Sequence, residues 1–127
     1  MPVRKIRSKR TRCPIASWLD VFGDKWTLVL VRDLMSGKRR YGEFLESPEG
    51  IPTNILADRL KKLEAQGIVT RERYSDRPPR YEYNLTRRGA ELIPVLQAMS
   101  AWSGKHVLKP WELPEWFVKA TPEMFVS

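Results

Sequence analysis

The chain has 127 residues, 42% hydrophobic and 30% charged, which describes one globular domain and excludes a disordered polymer or a protein with two cores. Its single cysteine excludes an internal disulfide, and its longest apolar stretch, over 26–31, is far too short to cross a bilayer. The net charge of +8 invites a polyanionic partner, yet Arg4, Lys5, Arg7, Lys9, Arg10 and Arg12 supply most of it, and the remaining chain carries only +2.

After this basic segment Pro14 carries the fixed φ of a first helical turn, and Ile15, Trp18, Leu19 and Phe22 follow at helical spacing. Gly23 is expected to close that helix in a left-handed conformation. Asp24 then suits the N-cap of a second helix through Trp26, Leu30, Leu34 and Met35, ending before Gly37. With Val29 and Val31 the same stretch has strand composition too, and its length favours the helix. A short third helix fits 41–46, presenting Tyr41, Phe44 and Leu45, and Ser47-Pro48-Glu49-Gly50 makes a loop. A fourth helix over 53–66 carries Leu56, Leu60 and Leu63 on one stripe and ends at Gly67.

There the period changes from helical to alternating. Strands are expected over 68–74 and 81–85, joined by the basic tip Ser75-Asp76-Arg77-Pro78-Pro79, because Tyr81, Tyr83 and Leu85 alternate with Glu82 and Asn84. Thr86 caps a final helix whose Leu92, Val95, Leu96, Met99 and Trp102 share a face, and Pro94 is expected to bend it from within. Beyond Gly104, Trp111 and Trp116 stand among Pro110, Pro114 and Pro122, which describes an extended arm packed through its aromatics. The expected organisation is a basic tail over 1–12, one domain over 13–105 and an arm over 106–127.

The fold class is therefore mainly α with a small β-hairpin. A helix pair followed at once by a basic two-stranded ribbon suits double-stranded DNA, whose major groove admits one helix while the ribbon reaches adjacent backbone. With the leucine stripe turned to the core, Asn54, Ala57, Asp58 and Lys61 point outward and Thr53 lies at the exposed N-terminus. Asn can bridge an adenine edge and Asp can accept from a cytosine amine, whereas phosphates would repel Asp58. Lys38, Arg39 and Arg40 before the third helix, and Arg71, Arg73, Arg77 and Arg80 on the hairpin, sit where phosphate positioning is needed. The bland alternative for each is a solvated charged face.

Several stretches in register resemble the HxlR-type regulators, a winged helix-turn-helix group related in fold to MarR-type proteins. They are Cys13-Pro14-Ile15, Gly23-Asp24-Lys25-Trp26-Thr27, Arg39-Arg40-Tyr41-Gly42-Glu43-Phe44, Ile51-Pro52-Thr53-Asn54-Ile55-Leu56, Arg59-Leu60-Lys61-Lys62-Leu63-Glu64 and the run from Tyr81 to Gly89. The resemblance spans about 13–104 and implies a cytoplasmic, dimeric transcription factor on a pseudo-palindromic operator, without a cofactor. The helix from Thr53 would read the DNA and 71–80 would be the wing. The first and last helices would form the homodimer interface, through Ile15, Trp18, Leu19, Phe22, Leu92, Val95, Leu96, Met99 and Trp102. Two recognition helices then address half-sites roughly 34 Å apart. Repression is the expected outcome and activation the alternative, with any small-molecule effector unidentified. Thr53 and Ile55 depart from the serine and leucine associated with this helix start, so no operator sequence carries over.

Cys13 has two readings. Some members of the family sense electrophiles or oxidants at this position, and a helix N-terminus with Arg10 and Arg12 nearby favours a thiolate. The other reading is a small packing residue at a subunit interface. Enzymatic function is not expected: His106 is the only histidine and lacks a nucleophile or metal-ligand spacing, and Gly37, Gly42 and Gly50 are too far apart for a phosphate loop. A winged-helix module that binds protein or ligand, with little DNA affinity, is the second reading. The basic tail is either a minor-groove arm or a solubilising segment.

Overall fold

Local chemistry starts and stops each element of the computed structural model, which describes residues 10–107 and 114–126. Helix α1 (Pro14–Phe22) opens on proline, with Cys13 as N-cap, and ends where the Gly23 N–H donates to the Leu19 carbonyl at 2.8 Å. Gly23 takes φ −80°, so the expected left-handed closure does not occur. Helix α2 (Thr27–Met35) starts three residues after Asp24, whose Oδ1 accepts from the backbone N–H of Trp26 (2.8 Å) and Thr27 (3.0 Å). Asp24 thus caps the helix from two residues further out than the N-cap position, which Trp26 occupies. Helix α3 (Tyr41–Leu45) and helix α4 (Thr53–Ala65) follow the expected spans within a residue. Gly67, at φ +75°, closes α4 in the left-handed region that favours glycine.

Strands β1 (Val69–Asp76) and β2 (Pro79–Leu85) pair antiparallel from Val69↔Leu85 outward to Asp76↔Pro79. The hairpin is longer than the composition suggests, since the expected five-residue tip contracts to Arg77-Pro78. The register slips between Arg73 and Ser75, a bulge that leaves Tyr74 without a cross-strand partner. The expected single last helix is in fact two, α5 (Arg87–Ala90) and α6 (Ile93–His106). Pro94 stands in the first turn of α6 instead of bending a helix from within, which is where its missing N–H costs nothing. Nor is the C-terminal segment simply extended: it holds helix α7 (Glu115–Lys119) and a 3₁₀ turn (Pro122–Met124). Trp111 lies outside the described residues.

The leucine stripe of α4 closes the core. Leu56, Leu60 and Leu63 are all but fully buried beside Leu30, Val31 and Leu34 of α2, Phe44 of α3, Ile68 just before β1, Val69 and Leu85 of the hairpin, and Ile93 of α6. Each such side chain contributes about 1.5–3 kcal/mol through burial. A Cβ on Gly89 would meet the Ile68 carbonyl oxygen at 2.2 Å, so only glycine lets α5 lie this close to the hairpin root. Phe117 and Ala120 of the C-terminal segment join the same core.

The nine apolar residues proposed above for pairing divide by burial. Phe22, Leu92 and Leu96 are spent on the protomer's own core, and Trp18 is half-buried against Phe22, ring centroids 5.4 Å apart. Ile15, Leu19, Val95, Met99 and Trp102 are exposed, by 73% for Ile15 and 61% for Trp102. From Ala98 to its end α6 has no buried residue, so more than half of this helix projects from the body of its own chain.

Candidate nucleic-acid interface

The loop that delivers α4 is fixed by buried polar chemistry. Asp33, on the inward side of α2, accepts from the Ser47 hydroxyl at 2.5 Å, and Lys38 Nζ donates to Ser47 Oγ at 2.7 Å. Arg32 grips Glu49 through two 2.7 Å hydrogen bonds and reaches Asp33 at 2.9 Å. The Arg32 guanidinium thereby holds the Glu49 carboxyl below its ordinary range. Asp24 ties down the other side of α4, since Arg59 Nε donates to it at 3.1 Å while Thr27 Oγ1 also binds it. Partial burial opposes the Asp24 charge, but its bonds from Thr27, the Trp26 N–H and Arg59 outweigh that and lower its pKa.

This scaffold leaves one face of α4 to solvent. Thr53, Asn54, Ala57, Asp58 and Lys61 are all exposed, and Thr53, Asn54 and Lys61 engage no other side chain among the described residues. Asp58 is different. It pairs with Lys62 one turn on (3.3 Å) and with Arg59, and the hydrogen bond from Lys62 leads the forces that hold its carboxyl below the ordinary range. A carboxylate already bracketed by two cations repels phosphate less than an isolated one.

The seven basic residues singled out from sequence take three different positions. Lys38 and Arg39 are half-buried and turned into the protein: Lys38 binds Ser47, and Arg39 Nη1 donates to the carbonyls of Leu34 (2.7 Å) and Lys38 (2.8 Å). The Arg39 carbonyl in turn accepts from the Tyr83 N–H at 2.8 Å, which fastens this loop to β2. Arg40, Arg71 and Arg73 are exposed but engaged. Arg40 lies 3.8 Å over the Tyr74 ring and binds Glu82 at 3.1 Å, and Arg71 lies 4.2 Å over Tyr81 and reaches Glu64 at 3.3 Å. Arg73 donates to the Tyr81 hydroxyl at 3.1 Å, a bond that lowers the Tyr81 pKa. Arg77 and Arg80, at the hairpin tip, are exposed with no ion pair among the described residues.

The sequence reading missed the tyrosines that carry these arginines and the Asp24–Arg59 tie. The Arg-Tyr alternation across β1 and β2 was a signal for the first, since cross-strand neighbours stack. Nothing in the spacing of Asp24 and Arg59, 35 residues apart, announces the second. Cys13 is exposed, its Sγ accepting only a 3.5 Å bond from the Ala16 N–H. Of the basic tail, Arg10 binds Asp20 of α1 at 2.9 Å, and residues 1–9 lie outside the described ones. No group of His, Cys, Asp and Glu suited to a metal ion occurs among the described residues, and none of their helices is long and apolar enough to cross a membrane.

Comparison with known proteins matches residues 21–110 to a family described as HxlR-like helix-turn-helix. An uncharacterized HTH-type transcriptional regulator of Synechocystis sp., sll1512, is 45% identical over 87 residues, covering 68% of this chain and 64% of that protein. YybR of Bacillus subtilis, named in the same terms, is 37% identical over 110 residues, 85% of this chain and 88% of its own. Among solved structures, the redox regulator HypR in its reduced form superposes with a TM-score of 0.67 at 38% identity, covering 78% of this chain and all of HypR.

Proposed function

Since the chain belongs to the HxlR-like helix-turn-helix family of DNA-binding transcriptional regulators, we propose that it acts as a homodimer that reads a pseudo-palindromic operator and represses by occupying it. The observation that carries this reading is the polar face of α4. Thr53, Asn54 and Lys61 are presented without intramolecular partners on a helix whose opposite face is locked into the core. Asn54 and Thr53, in the first turn, are placed for base edges, with Ala57 open to a thymine methyl and Lys61 to a phosphate or guanine. Arg77 and Arg80 reach the flanking backbone or minor groove, and Arg40, Arg71 and Arg73, already oriented by tyrosine rings, line the approach. Lys38 and Arg39 serve the site by holding the loop and hairpin together.

Dimerisation follows from the unpaid apolar surface. Val95, Met99 and Trp102 recur at helical spacing on the projecting part of α6, and Ile15 and Leu19 do so on α1. A second copy of the chain would cover both stripes. The deciding experiment is fluorescence anisotropy of a duplex from the protein's own upstream region against a scrambled duplex, over a salt series. A preference of about 10³-fold or more with steep salt dependence is the expected result. Absence of binding to either duplex at low salt would overturn the reading in favour of a protein-interaction module.

A second reading concerns Cys13, whose thiol is exposed at the start of α1, within the proposed interface. HypR is described as a redox regulator, and its reduced and oxidised forms both superpose on this chain. In this chain two Cys13 thiolates, one per subunit, would join as a disulfide by giving two electrons to an oxidant such as diamide. Diamide is then expected to release the wild type from DNA and leave Cys13→Ser bound; equal release of both proteins rejects thiol sensing.

A further inference from the structure

The C-terminal segment stands outside the 21–110 stretch that the family shares, yet it is built into the joint between α5 and α6. Helix α7 has only five residues, and its last carbonyls need donors from elsewhere. Gln97 of α6 supplies them. Its Nε2 donates to the carbonyls of Phe117 (2.9 Å), Ala120 (2.8 Å) and, more weakly, Val118 (3.3 Å). Phe117 and Ala120 are buried in the core, and Glu123 of the following 3₁₀ turn meets Arg87 of α5 at 3.3 Å. The segment is therefore fixed at three places: to the core, to the first helix after the hairpin and to the root of α6.

We propose that this segment is a brace across the α5–α6 elbow and that Gln97 is a positioning residue for operator recognition. The inference rests on the homodimer reading given above. On the α6 wheel the core contacts Leu92, Ile93 and Leu96 separate Gln97 from the stripe of Val95, Met99 and Trp102. The brace thus bears on the flank away from the proposed seam and leaves the seam uncovered. Helix α6 is about 21 Å long, so a change of about 10° at the elbow moves its far end by about 4 Å, close to one base-pair step. In a dimer joined through α6, the elbow angle sets the distance between the two recognition helices. The brace therefore determines which half-site spacing the dimer accepts.

The test uses the full chain, wild type and Gln97→Glu, a nearly isosteric change that removes the amide donors and sets a carboxylate against three carbonyls. The wild type first selects its site from a random duplex library. Derivatives of that site with one or two base pairs added to or removed from the spacer are then measured with both proteins. The wild type should favour its own spacing by roughly tenfold or more, and Gln97→Glu should narrow the preference to about threefold or less while sedimenting as the same dimer. Unchanged spacing preference in Gln97→Glu overturns the brace. Failure of the wild type to select any site overturns the underlying regulator reading instead. Should Gln97→Glu not fold, Gln97→Ala removes the donors without adding charge and is read in the same way. A uniform loss of affinity at every spacing would also overturn the proposal, because a purely structural role lowers all affinities together.

Discussion

The unit from α2 to β2 and the two flanking helices α1 and α6 use apolar residues in opposite ways. In the central unit every leucine of the α4 stripe is at most 1% exposed, and Phe44, Val31 and Leu34 are fully covered. On α1 and α6 the same residue types alternate between core and solvent: Phe22 and Leu96 are covered while Leu19 and Met99 stand open by 53% and 49%. The central unit is packed to completion within the single chain, with Phe22 of α1, Ile93 and Leu96 of α6 and Phe117 of the C-terminal segment closing its core. The open faces of α1 and α6 have no such cover among the described residues, and the proposed second copy is what would supply it. The contrast also places the polar work, since the Asp33–Ser47–Lys38 and Asp24–Arg59 networks all orient α4 and none supports the outer half of α6.

Two substitutions test this division most severely. We predict that Leu60→Ala, in the completed core, lowers folding stability by about 2–5 kcal/mol, seen as a reduced denaturation midpoint at every protein concentration. Trp102→Ala, on the open flank, is predicted to weaken self-association by about 2 kcal/mol or more while secondary structure persists at high concentration. Sedimentation at several concentrations checks the second. A Trp102→Ala protein that dimerises like the wild type would show that α6 is not the seam. An effect of Leu60→Ala confined to the dimer would erase the contrast itself.

A smaller effect tests the junction at which the central unit begins. Asp24, just past the end of α1, joins the start of α2 to α4, and its lowered pKa marks the charged form as the one the fold binds. The sign follows directly: the contribution is fully present above the ordinary aspartate value near ~4 and is lost as pH falls through the still lower value of the folded state. Asp24→Asn is therefore predicted to cost about 1 kcal/mol at neutral pH and to flatten the loss of stability below about pH 4. Denaturation followed across pH for both proteins checks it; parallel curves for the two would remove Asp24 from the acid response.

The central unit was also the legible part of the sequence. Leu56, Leu60 and Leu63 recur at one period, a glycine ends the helix, and the alternation of Tyr81, Tyr83 and Leu85 announces the change to strand. Such patterns are local, and local patterns survive reading from one chain. The flanks obey a different logic. Leu92, Val95, Leu96 and Met99 share one broad apolar face, and only the way the tertiary fold seats α6 decides that Leu92 and Leu96 turn inward while Val95 and Met99 do not. Pro94 was visible but ambiguous, because proline both bends a helix and begins one. The same limit applied to the cations. Seven basic side chains carry one kind of charge, but Lys38 and Arg39 meet Ser47 and backbone carbonyls that only the tertiary fold brings near. For α7 the prolines and tryptophans suggested an extended arm, whereas Phe117 and the donors of Gln97 make a helical turn possible there.

The smallest predicted effect lies within the hairpin and sharpens the comparison at the level of single charges. Arg77 and Arg80 at its tip have no ion pair among the described residues, whereas Arg71 and Arg73 nearer its root are already paired with Glu64 and Asp76 and stacked on Tyr81. An unpaired cation that meets a phosphate releases a counterion, and one that must first leave a carboxylate offers a smaller net change. Arg80→Ala is therefore predicted to reduce the slope of log affinity against log salt by about 1, with a loss of only a few-fold in affinity at moderate salt, nearly uniform across sequences. Arg73→Ala should change the slope by less, because Asp76 is freed at the same time and repels the DNA backbone. Anisotropy titrations of both variants at four or so salt concentrations distinguish them. Equal slope changes would mean that DNA strips Arg73 from Asp76 and Tyr81, making the hairpin root as much a phosphate contact as its tip.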